Sequence, residues 1–310
     1  MSLLGYFISA LLVSSCYERV NHKGEFDYDE VKASFYYDLN DPDDHMRLTS
    51  ELEEISGLTW VNDTLMGAVQ DEVGHLYYLD PKDGDVTAEI RFEAEGDYEG
   101  VEMANGEMYA IKSNGKLYRF AISDKDEEAK FHDNPLNVTN NVEGLGYWPE
   151  RNMLLIGCKE KQVLDLDDDE EEDKEKEEED DEDETDEDDL LIYGFDIEQK
   201  LFIEEPLIVV HEDNIEEQFE NEYKGKFDGK KFALSAMAYH PIEKTLYMVS
   251  SAARLMIITD MQGKIQGLYP LDREVLRQPE GICFTPDGTL YIASEGRGGA
   301  GYIVKYRYRK

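Results

Sequence analysis

Residues 278–299 read QPEGICFTPDGTLYIASEGRGG. An apolar strand (ICF) runs into a Pro286-Asp287-Gly288 turn, a second apolar strand (LYIAS) follows, and a glycine-rich loop closes the stretch. Glu280 and Gly281 stand together just ahead of the first strand. The arrangement recurs through the chain. Ser56-Gly57 opens SGLTWVNDTLMGAVQDE, Glu99-Gly100 opens EGVEMANGEMYAIKS, Glu143-Gly144 opens EGLGYWPERNMLLIGCKE, and Ser235-Ala236 opens SAMAYHPIEKTLYMVSS. The small second residues fall at 57, 100, 144, 236 and 281, so the steps are 43, 44, 92 and 45.

Within each copy a polar turn separates two strands, and a third strand follows, as in HLYYLD, KLYRF, LLIYGFD, RLMIITD and GYIVKYRY. VTAEIRFE and KIQGLYPL read as more polar fourth strands. Four antiparallel strands in a unit of about 44 residues is the spacing of a propeller blade. The expected fold is therefore all-β, a five-bladed β-propeller of four-stranded blades over residues 33–310. A sixth blade within residues 190–234 is the alternative. The fifth copy runs out of chain after its third strand, so the ring needs a strand from the N-terminal side. The segment KASFYYDLN, around Phe35 to Leu39, is expected to supply it. Closure hides sheet edges that would otherwise template aggregation.

The double step holds two extra segments. HEDNIEEQFENEYKGKFDGKK reads as a surface helix and loop. Residues 165–189 contain 21 acids and 2 lysines, a net of −19 out of the chain's −41. With Leu166 as its one apolar side chain, that run cannot bury enough surface to offset its ordering entropy, and a disordered insertion in blade 3 is expected. It is read either as a solubilising insertion or as a low-affinity calcium sponge or contact for a basic partner. The acidic balance excludes a nucleic-acid binder, because no basic stripe is available to displace phosphate counterions.

The N-terminal LLGYFISALLVSSCYERV is an apolar run of signal-peptide length. Val13-Ser14-Ser15-Cys16 resembles a bacterial lipobox, although Met1 to Tyr6 carries no Lys or Arg. Residues 1–15 are expected to be a lipoprotein signal, Cys16 the lipidated residue and 16–32 a tether. A monomer held at the outer membrane of a Gram-negative-type cell envelope, facing the periplasm or the cell surface, follows. A plain cleaved signal or a buried N-terminal helix is the alternative. Cys158 and Cys283 lie in apolar strands and read either as a disulfide or as two buried small hydrophobes.

In a propeller the first strand of each blade lines the central channel, so the residues at its head converge on the axis. Glu99, Glu143 and Glu280 occupy three heads, Ser56 and Ser235 the other two, and the following position must be small where blades crowd. Converging carboxylates repel unless a cation or protons intervene. An oxygen-only donor set suits calcium, with Asp71, Glu72 and Glu295 at the ends of second strands as further ligands. Lys112 and Lys159 at matching loops could contact an anionic ligand, or pair with these glutamates in a structural network.

The blade motifs SGLTW…LMGAVQDEVGHLYYLD, DYEGVEMANGEMYAIKSNGKLYRF, ALSAMAYHPIEKTLYMVSS and QPEGICFTPDGTLYIASEGRGGAGYIVKYRY resemble those of the SdiA-regulated (YjiK-like) family of bacterial exported proteins. The resemblance covers residues 50–308 apart from the acid run and residues 211–230. It implies a five-bladed propeller with a bound calcium and no established activity. The expected function is a calcium-stabilised binding or scaffold module for a small-molecule or protein ligand. The alternative is a calcium-dependent lactonase- or phosphoesterase-like hydrolase at the channel mouth. No Ser-His-Asp set, Gly-x-Ser-x-Gly elbow or P-loop is present to carry catalysis.

Overall fold

Four strands hydrogen-bond in sequence to make each blade, and five such sheets follow one another round a ring. The computed structural model describes residues 36–123, 125–126, 128–159, 188–223 and 230–310. The expected signal segment, Cys16, the tether and all of the acid run except its last two residues lie outside the described residues.

The first strand, β1 (Asp44–Arg47), belongs to the last blade. Blade 1 holds β2 (Ile55–Asn62), β3 (Leu65–Gln70), β4 (His75–Leu79) and β5 (Val86–Arg91). Blade 2 holds β6 (Tyr98–Ala104), β7 (Glu107–Lys112), β8 (Leu117–Ala121) and β9 (Lys130–His132). In blade 3 are β10 (Val142–Trp148), β11 (Met153–Cys158), β12 (Leu190–Asp196) and β13 (Leu201–Val210), followed by helix α1 (Glu212–Tyr223). Blade 4 contains β14 (Ala236–Tyr239), β15 (Leu246–Ser250), β16 (Leu255–Thr259) and β17 (Ile265–Pro270). Blade 5 has β18 (Pro279–Phe284), β19 (Leu290–Ser294) and β20 (Tyr302–Tyr306), with β1 on its outer edge. Residues 190–210 thus complete blade 3, and the chain then turns into α1, so the five-bladed reading holds over the six-bladed one.

Ring closure differs in one respect from expectation. The strand that closes blade 5 is Asp44–Arg47, paired antiparallel with β20 through Asp44–Lys305 and Met46–Ile303, and not the Phe35–Leu39 segment. An edge strand on a solvated rim buries one side chain here, Met46, so it carries little apolar signal. The more apolar Tyr37 and Leu39 are used elsewhere, buried at the lower end of blades 4 and 5. There the Tyr37 hydroxyl donates to the Gly288 carbonyl at 2.6 Å and lies 2.7 Å from His240 Nε2.

The core is divided among the blade interfaces. One buried cluster, for example, joins Val69, Leu76 and Phe92 of blade 1 to Tyr98, Val101 and Met108 of blade 2, and four similar clusters complete the circuit. Full burial of a side chain such as Leu76 or Met108 contributes about 1.5–3 kcal/mol. Cys158 and Cys283 are both free and buried among these apolar side chains, which decides for the buried-hydrophobe reading. Burial pushes the Cys158 thiol up to about 12. The end of the acid run is held in place. Asp189 is buried, accepts the Glu212 N–H at the start of α1 and lies 2.8 Å from His211 Nδ1, while Asp188 pairs with Lys231.

Candidate channel-mouth site

The head residues owe their aim to backbone irregularity. The pairing of β10 with β11 shifts between Val142 and Gly144, that of β6 with β7 between Tyr98 and Gly100, and that of β18 with β19 between Pro279 and Gly281. Each shift leaves one residue unpaired: Glu143, Glu99 and Glu280. Blade 1 repeats it between Ile55 and Gly57, with Ser56 as the extra residue. A bulge turns its extra side chain away from the ordinary alternation of the strand, which sends these side chains towards the axis.

The residue after each bulge meets the next blade. A Cβ at Gly57 would lie 2.9 Å from Val101 N, and one at Gly100 would lie 2.9 Å from Leu145 Cβ. At Gly144 it would meet Leu234 and Met237, and at Gly281 it would come within 3.0 Å of Leu58 Cβ, back in blade 1. The requirement for a small residue is therefore an inter-blade contact, made at the heads of blades 1, 2, 3 and 5.

Electrostatics shows which sequence-derived residues converge. Burial raises the Glu99 carboxyl well above the carboxylate range, and the charge of Glu143, then Asp97 and Glu280, raises it further. Glu280 is pushed up to about 8 by burial and by Glu143 and Glu295, partly offset by Lys159 and a hydrogen bond from Ser235. Glu143 is buried, and its Oε1 accepts from Lys159 Nζ at 2.8 Å. Despite desolvation, the Lys159 ammonium is held above its ordinary value by Glu143, Glu280 and Glu99. Three carboxylates thus face one another around one lysine.

Asp71 and Glu295 adjoin this group. Burial, with Asp71, Glu54 and Glu143 nearby, lifts Glu295 to about 7, partly offset by the charge of Arg297. Burial and the charges of Glu54, Glu72 and Asp97 lift Asp71 to about 6, and its Oδ1 is buried without a hydrogen-bond partner among the described residues. Glu72 is exposed. Lys112 makes no ion pair among the described residues: its Nζ sits 4.6 Å over the Tyr98 ring and donates to the Glu95 carbonyl at 3.3 Å, within the field of Glu93 and Asp97. Lys159 is engaged by Glu143, so neither lysine is an open anion contact as the chain stands.

One channel acid escaped the sequence reading. Glu102 accepts from Thr59 Oγ1 of blade 1 and from its neighbour Met103 N–H, both at 2.8 Å, and burial lifts it to about 7. Its signal was an acid inside an otherwise apolar inner strand, three positions past the head. Among the described residues, no group of three or more His, Cys, Asp or Glu is arranged to hold a metal ion. The donor chemistry, all carboxylate oxygen with uncompensated charge and an orphaned Asp71 oxygen, fits a hard cation. Coordination would require the side chains to draw together.

The model of the SdiA-regulated family matches residues 43–203 and 203–297, and the chain belongs to that family. Comparison with curated proteins finds no match. Among solved structures the chain is similar to the glutaminyl cyclase of Myxococcus xanthus, at 10% identity over 86% of this chain and 95% of that one, with a TM-score of 0.53. It is also similar to a streptogramin B lyase, at 13% identity over 86% and 73% of the two chains and a TM-score of 0.43. A third is a chain of the mitotic checkpoint complex, at 10% identity over 83% of this chain, with a TM-score of 0.41; this chain spans 62% of its length. At 10% identity the likeness to the glutaminyl cyclase reports the fold alone.

Proposed function

We propose that this SdiA-regulated propeller is a calcium-binding module of the cell envelope, whose channel mouth receives a small-molecule or protein ligand. The observation that carries the reading is the mutual repulsion of Glu99, Glu143 and Glu280 around the single ammonium of Lys159. Carboxylates held this close in a desolvated mouth either share protons or recruit a cation, and a calcium ion would bind by displacing the protons that Glu99 and Glu280 otherwise hold near neutral pH. Glu295 and Asp71 would complete the oxygen set, with Glu72 at its exposed margin. The ion would pin the heads of blades 2, 3 and 5 together, off the axis and away from the serine heads of blades 1 and 4.

Anchoring follows from the lipobox-like VSSC ending at Cys16, which would hold the propeller at the membrane as a monomer through acyl chains. Calorimetric titration of calcium into chelator-treated protein tests the metal. Saturable uptake that disappears in the Glu143→Gln, Glu280→Gln double variant is expected, and uptake unchanged in that variant would refute the site. Intact-mass measurement of the native protein tests the anchor: residues 1–15 absent and Cys16 acylated is the expected result.

A further inference from the structure

Three arginines stand close together at the upper rim of blades 4 and 5. Arg273 and Arg277 lie on the loop between β17 and β18, and Arg297 on the loop between β19 and β20. Both loops are at the mouth end, because β18 begins and β19 ends there, with Pro279 opposite Ser294. Among the described residues, the three guanidiniums and Glu274 line one cavity of about 360 Å³. None of the three is in an ion pair with a described carboxylate. In a chain with 72 acids against 31 basic residues, cations left unpaired at one cavity call for a reason.

The loops are built rigid. Arg254 donates from its guanidinium to the carbonyls of Leu271 at 3.0 Å, Leu276 at 2.7 Å and Arg277 at 3.0 Å, so it staples the loop from beneath. Leu271 and Leu276 are fully buried, and the Tyr302 hydroxyl accepts the Arg277 N–H at 2.8 Å while donating to the Val275 carbonyl at 3.0 Å. Arg297 has a left-handed backbone (φ 46°), and its Nε donates to Gln278 Oε1. With Nε engaged, the two terminal amino groups remain as donors. A second cavity of about 490 Å³ adjoins the first, sharing Glu274 and Arg277. It runs over Tyr302, on which the His45 ring stacks at 4.7 Å between centroids.

We propose that this rim is a binding site for a small organic phosphomonoester. Three guanidiniums less one carboxylate give the first cavity a local charge near +2, which matches a phosphate dianion. A phosphate has three terminal oxygens to share among three forks, whereas a carboxylate is satisfied by one. The adjoining cavity, walled by Tyr302, Val275, Pro42 and Ala300 with His45 and Arg47 at its margin, takes the organic part. The preorganised backbone confines the ordering entropy that opposes binding to the exposed arginine side chains. The site adjoins the carboxylate mouth, since Arg297 acts electrostatically on Glu295, but its guanidiniums do not depend on the mouth holding calcium.

Calorimetry on the full chain in chelator, with phenyl phosphate, inorganic phosphate and benzoate as probes, tests the proposal. Phenyl phosphate should bind saturably in the millimolar range or tighter, inorganic phosphate more weakly, and benzoate weakest of the three. An Arg273→Gln, Arg277→Gln double variant should lose at least ~10-fold in affinity, while Arg151→Gln at the lower end of blade 3 should change nothing. Arg297→Gln, which leaves the stapled loop intact, gives a second reading if the double variant melts early. Inorganic phosphate binding as tightly as phenyl phosphate would remove the organic subsite and overturn the proposal. So would the absence of saturable binding, benzoate binding as tightly as phenyl phosphate, or affinities unchanged in both variants.

Discussion

Lys159 Nζ lies 2.8 Å from Glu143 Oε1, and the acid is the more deeply buried partner, with side-chain exposures of 31% and 7%. Removing the cation therefore leaves a buried carboxylate facing Glu99 and Glu280 with nothing to offset it. Lys159→Met should destabilise the fold by about 1–3 kcal/mol near pH 8 without added cation. Adding Glu143→Gln to Lys159→Met should recover most of that loss. Urea unfolding of the two singles and the double measures it, and strict additivity would show that the pair is not coupled.

The mouth carboxylates also set a pH dependence. Glu280 binds its proton up to about pH 8 in the folded chain and releases it near its ordinary value of 4.5 when unfolded. Between those values the folded state holds more protons, so stability falls as pH rises. Glu295 acts in the same direction up to about 7 and Asp71 up to about 6. His240 opposes them at lower pH, since burial depresses it from 6.5 to about 4 and its contribution grows as pH rises through that window. The acids stand alone above pH 6.5, where the melting temperature in chelator should fall on going to pH 8.5. Each such group gives a slope of up to about 1.4 kcal/mol per pH unit. Glu280→Gln should flatten the curve, and so should saturating calcium if the mouth binds it.

Head glycines should not be equally replaceable. A Cβ at Gly57 would meet the backbone nitrogen of Val101 at 2.9 Å, whereas at Gly144 its nearest neighbour is the side-chain end of Leu234 at 2.7 Å. Backbone cannot step aside without moving blade 2, but a leucine tip can rotate. Gly57→Ala is expected to destabilise by ~1–3 kcal/mol and Gly144→Ala by less, read from chemical denaturation midpoints. The reverse order would show that the blades shift more easily than the side chains do.

Among the contacts that hold the segment before the ring is the Tyr37 hydroxyl. Because the Tyr37 O–H donates to Gly288, it must accept from His240 Nε2–H, which fixes the neutral imidazole with Nδ1 accepting the Ile242 and Glu243 N–H groups. Tyr37→Phe leaves both partners buried and unsatisfied, a loss of about 1–3 kcal/mol. Amide hydrogen exchange should rise over residues 36–48 more than over the inner strands. A uniform rise would instead mark global destabilisation.

Much of this molecule was legible along the chain. Repeats of alternating apolar strands and polar turns at a constant step can bury their faces only against copies of themselves, which decided five blades and the smallness of residues 57, 100, 144, 236 and 281. The carboxylate heads were visible for the same reason: equal positions in equal units share one place on the axis. Other features needed the folded ring. The closing strand Asp44–Arg47 has almost no apolar signature, because a rim strand is specified by the partner it pairs with. The bulges that aim Glu99, Glu143 and Glu280 inward are a matter of pairing register, which no single strand records. Which charges stay unpaired was likewise decided in three dimensions: Lys159 is consumed by Glu143, while Arg273, Arg277 and Arg297, apart in sequence, meet at one rim where two loops converge.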